Sequence, residues 1–62
     1  MHKVMEQTID GQFTVTMEQR SSNSFRVSYG SHVKDKLDYV AAAKEYGECL
    51  MHAATCAGLI EE

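Results

Sequence analysis

The stretch DYVAAAKEYGECLMHAATCAG, residues 38–58, decides the fold. It reads as one helix over about residues 39–57. Asp38 suits the N-cap, because its carboxylate accepts from the free N–H groups of the first turn. Gly58 suits the stop, because glycine enters the left-handed region without a Cβ penalty. Between them the segment is rich in alanine and free of proline, which favours helix. At about 100° per residue, the apolar and small side chains from Cys56 and Cys49 round to Val40 and Met51 fill an arc of roughly 220°. A surface helix needs a stripe of only about 100°. This helix therefore has to be covered from two sides.

The first cover is expected from the residues upstream. From about Lys3 to Gly30 the chain alternates with period two, as half-buried strands do. Strands are predicted at about residues 3–9, 12–18 and 25–30. Asp10-Gly11 signals a turn, and a three-residue loop there keeps Met5, Phe13, Val15 and Met17 on one face. The polar run Gln19–Ser24 is read as the second turn, pairing Met17 with Phe25, Val15 with Val27 and Phe13 with Tyr29. Thr14, Thr16, Glu18, Arg26 and Ser28 then face water, the pattern of an antiparallel sheet covered on one side. Gly30 to Leu37 is read as a connector in which Val33 and Leu37 tuck under, and Leu37 staples the helix start. The expected fold is α+β: a three-stranded antiparallel sheet packed on one C-terminal helix, in the order β-β-β-α.

The second cover is expected from another copy. Sixty-two residues make one domain, 1–62. A domain this small buries only about 60% of its unfolded surface and is marginal alone. Staples, a metal or a partner chain are the usual remedies. Val40, Ala43, Gly47, Leu50, Met51 and Ala54 recur three and four apart, and the small ones let another backbone approach. They are read as the seam of a helix-mediated homodimer.

Composition narrows the function classes. The formal charge of −3 gives no basic footprint for nucleic acid, and no nucleic-acid partner is expected. No run approaches the roughly 18 apolar residues of a membrane span, and the first residues hold no apolar signal core. Cys49 and Cys56 stand about 10 Å apart along a helix, too far for a bridge within it. They are expected to remain thiols, in a cytoplasmic protein.

Two clusters bear chemistry. Glu45, Cys49, His52 and Cys56 fall within about 60° on the helical wheel, and Cys49, His52 and Cys56 are zinc-type donors. Against that, a single helix cannot close a tetrahedral site, and buried cysteines commonly just fill cores. Tyr39, Tyr46 and Arg26 are candidate contacts for a small nucleotide-like ligand, although tyrosines at such spacing more commonly fill a core or an interface. Cys49 and His52 lack the third, orienting group of a nucleophilic site. The glycines are scattered and form no phosphate loop. His2 and His32 read as isolated and exposed. No enzyme activity and no cofactor are expected.

The run YVAAAKEYGECLMHA, followed by CAGLI, resembles the C-terminal helix of small uncharacterised proteins encoded by phages and prophages. The resemblance covers Tyr39 to Ile60, about a third of the chain, and carries no catalytic motif. It implies a non-catalytic accessory protein that binds a host or phage protein complex, with inhibition of host defence as one expected role. A nucleotide-sequestering dimer and a metal module are the alternatives.

Overall fold

The computed structural model describes residues 2–60. Four strands form an antiparallel meander in the order β1 (His2–Ile9), β2 (Phe13–Ser21), β3 (Ser24–Tyr29) and β4 (His32–Leu37). One helix, α1 (Tyr39–Cys56), packs across one face of the sheet. The α+β class and the C-terminal helix agree with the sequence. The sheet has four strands rather than three. Glu61 and Glu62, read as a fraying end, lie outside the described residues.

The first hairpin has the expected register, with Ile9 opposite Phe13 and Met5 opposite Met17. Asp10 and Gly11 take φ of 55° and 66°, and the Gln12 N–H donates to the Ile9 carbonyl at 3.1 Å. Positive φ at both central residues is what the aspartate and glycine supply.

The second hairpin is displaced by two residues from the expected pairing. Met17 faces Val27 and Val15 faces Tyr29. The polar run misled here: Gln19, Arg20 and Ser21 continue β2, and the turn is only Ser22-Asn23, closed by the Ser21–Ser24 pair. A shift of two preserves parity, so the faces are right although the partners are wrong. Phe13, Val15, Met17, Phe25, Val27 and Tyr29 share the helix side, while Thr14 is exposed on the other. Met5 shares the inner face through its pairing but is 45% exposed, because β1 is an edge strand.

The presumed connector is β4. Gly30, at φ 60°, and Ser31 make a two-residue turn that sets His32 opposite Tyr29. A bulge lies between Val27–Lys34 and Phe25–Leu37, with Lys36 at φ 59°. Val33 is therefore 51% exposed rather than tucked under, while Leu37 packs against the core. Asp35 draws the bulge together on the outer face. One carboxylate oxygen accepts from the Lys36 backbone N–H at 2.7 Å, and the other meets Arg20 of β2 and Arg26 of β3. Lysines 34 and 36 and the bulge blunt this edge against pairing with another chain.

The core is small. Val15, Met17 and Val27 from the sheet meet Ala42, Tyr46 and Cys49 from the helix. Asp38 caps α1 as expected, its Oδ1 accepting from the Ala41 N–H at 2.8 Å. Asn23 accepts from the Tyr39 N–H at 3.1 Å and ties the β2–β3 turn to the helix start. At the other end Gly58, at φ 76°, closes a Schellman motif. Leu59 N–H reaches the Ala54 carbonyl at 3.0 Å and Gly58 N–H the Thr55 carbonyl at 3.1 Å. Leu59 is exposed, and Ile60 is half-buried.

Candidate functional site

The meander leaves a cleft at the end of the sheet where β3 turns into β4, roofed by the middle of α1. Its volume is about 590 Å³, and its walls include Phe13, Tyr29, His32, Glu45, Cys49 and His52. Local structure places each group. His32 follows the Gly30-Ser31 turn, and pairing with Tyr29 aims it to the helix side of the sheet. Glu45 and Cys49 are one helical turn apart and project together toward it.

The ligand atoms of His32, Glu45 and Cys49 all lie within 4.8 Å of one another. Glu45 Oε2 is the hub, 3.5 Å from His32 Nε2 and 3.6 Å from Cys49 Sγ. Cys49 is buried, Glu45 half-buried and His32 exposed. Burial pushes the Cys49 thiol up, and the hydrogen bond to Glu45 and the charges of Glu45 and Glu48 push the same way. The thiol is thus held protonated, which makes it a poor nucleophile.

A second pair lies further along the helix. His52 Nε2 is 3.7 Å from Cys56 Sγ, and the His52 ring meets Tyr29 edge-on with centroids 5.6 Å apart. Burial raises the Tyr29 pKa. Of the sequence-derived metal residues, His52 and Cys56 thus stand together, while Cys49 turns to Glu45 and His32. His32 was expected to be isolated and is not. Its signal was the Gly-Ser pair ahead of it, which marks a hairpin and so fixes the face of the residue that follows.

The other sequence-derived residues are spread out. Tyr39 is 67% exposed at the helix start, Tyr46 is buried in the core, and Arg26 pairs with Asp35 on the far face of the sheet. Of the seam residues, Val40 and Met51 are 67% and 60% exposed, Ala43 is exposed, and Gly47 and Ala54 are half-buried. Leu50 is half-buried and packs against the chain's own core.

Compared with known proteins, the chain matches no family model, no curated protein and no solved structure. Among the described residues, no helix is long and apolar enough to cross a membrane.

Proposed function

We propose that this is a non-catalytic binding protein that works as a homodimer joined along the outward face of α1. The observation that supports this most is the uncovered helix. The chain's own sheet buries only Ala42, Tyr46, Cys49 and Ala53 of α1. Val40 and Met51 stay mostly exposed beside Ala43 and Gly47. Nothing lies within 4 Å of the point where a Gly47 Cβ would sit, so another backbone can come close there. Fully burying Val40 and Met51 is worth roughly 1.5–3 kcal/mol each. Against a net stability of only about 5–15 kcal/mol for a domain, that is a large share.

The dimer's target is then a macromolecule. On this reading the target is a host or phage protein complex, host defence complexes included, which is what the resemblance over Tyr39–Ile60 implies, met in the cytoplasm with Cys49 and Cys56 as free thiols. A nucleotide-like ligand held by Tyr39, Tyr46 and Arg26 has less support, because those residues do not share a surface.

Melting at a series of protein concentrations tests the dimer. For a dimer the midpoint rises with concentration, because association stabilises only the folded chain. Met51→Lys is expected to fold, to melt lower, and to lose the concentration dependence. A wild-type midpoint that stays constant over a hundredfold range would count against the reading.

A further inference from the structure

We propose that His32, Glu45 and Cys49 bind one zinc-class divalent transition-metal ion, with the remaining coordination position open to the cleft. The site does not rest on the dimer. Its two helical ligands, Glu45 and Cys49, lie about 120–180° round the helix from Val40 and Met51.

The spacing supports coordination better than a direct ion pair. Charge-assisted hydrogen bonds run about 2.7–2.9 Å, whereas His32 Nε2 and Glu45 Oε2 stand 3.5 Å apart. Bonds of about 2.0–2.3 Å to a tetrahedral zinc leave neighbouring ligand atoms roughly 3.3–3.7 Å apart. The His32–Glu45 and Glu45–Cys49 separations of 3.5 and 3.6 Å both fall in that range. The third separation, His32 to Cys49, is at most 4.8 Å, and coordination requires the exposed His32 side chain to bring it into the same range.

The donors choose the metal. One imidazole nitrogen, one carboxylate oxygen and one thiolate sulfur suit zinc and its neighbours. Calcium and magnesium, which take oxygen ligands, are poorly served by such a set. On binding, the ion forms a bond to Sγ and the thiol proton leaves to solvent. Two ligands stand on a helix whose buried face fixes them, and the third follows a two-residue turn. The exposed His32 gives an entry path. Three protein ligands leave a fourth position for water or an added donor group in the cleft, which His52 also lines.

The test is titration of the tag-free, reduced full chain with cobalt(II), a spectroscopic substitute for zinc. The expected result is saturation at one ion per chain, with a sulfur-to-cobalt band in the near ultraviolet and strong visible bands of a four-coordinate ion, all removed by added zinc. Cys49→Ser is expected to abolish the sulfur band. His32→Ala is expected to weaken binding by more than about 10-fold, the least that even an outer partner of a metal ligand is worth. Cys56→Ser is expected to change neither. No saturable binding at micromolar cobalt would overturn the proposal, as would a sulfur band that survives Cys49→Ser and is lost in Cys56→Ser. Cys49 is a core residue, so if Cys49→Ser fails to fold, His32→Ala decides: unchanged affinity in that variant overturns the site.

Discussion

Gly58 ends α1 at φ 76°, a conformation that costs a side-chain-bearing residue about 1–2 kcal/mol. Space is not the constraint, since nothing lies within 4 Å of its absent Cβ. Gly58→Ala is therefore expected to destabilise by about 1 kcal/mol, read as a lower urea midpoint with an unchanged slope. Asp35 supplies a pH-dependent counterpart. The Lys36 N–H holds its carboxyl below the usual aspartate value of 3.8; partial burial opposes this, and Arg20 and Arg26 assist. A depressed native pKa adds stability that is fully present above the unfolded value and is lost as pH falls through the native one. Asp35→Asn should thus cost stability in urea melts at neutral pH, and the gap to wild type should close in strong acid. At this scale the helix caps could be read in advance, because Asp38 and Gly58 act within one turn of their own positions. His32 was missed, because its neighbours in space follow from the Gly30-Ser31 hairpin, which was read as part of a connector.

That hairpin is a matter of elements. β4 was hidden because its bulge changes the phase of the strand. Val33 and Leu37 are four apart and on a regular strand would share a face, yet Val33 is turned to solvent and Leu37 to the core. Period-two reading fails wherever a bulge adds a residue. The charged run Lys34-Asp35-Lys36 then looks like a loop, although Asp35 is half-buried between two arginines. The same structure makes an uncommon forecast. Glycine in a strand ordinarily destabilises, but Lys36 sits at φ 59°. Lys36→Gly is expected to stabilise, by up to about 1 kcal/mol, by removing the left-handed penalty, with a raised melting temperature as the readout. In the second hairpin, parity survived a two-residue slip, so the buried face was legible where the cross-strand partners were not.

For the molecule as a whole, the wide apolar arc of α1 pointed to two covers, and the structure supplies one. The sheet buries the wheel from Cys49 to Tyr46 and partly covers Leu50, and it leaves Ala43, Val40 and Met51 exposed beside half-buried Gly47 and Ala54. The cleft was less legible, because it needs a residue from β4 beside two from α1. Gly47→Leu separates the claims at this scale. A Cβ at this position meets nothing in the single chain, and the variant is expected to fold, to fill the gap between the helices, and to weaken association while leaving the cobalt spectrum of the cleft unaltered. The most direct measurement is sedimentation equilibrium of the wild-type chain at micromolar concentration, with Met51→Lys as the control. The expected result is a mass of twice the 6.9 kDa chain for the wild type and of one chain for the folded variant. A folded wild-type protein that sediments as a single chain throughout that range would contradict the account.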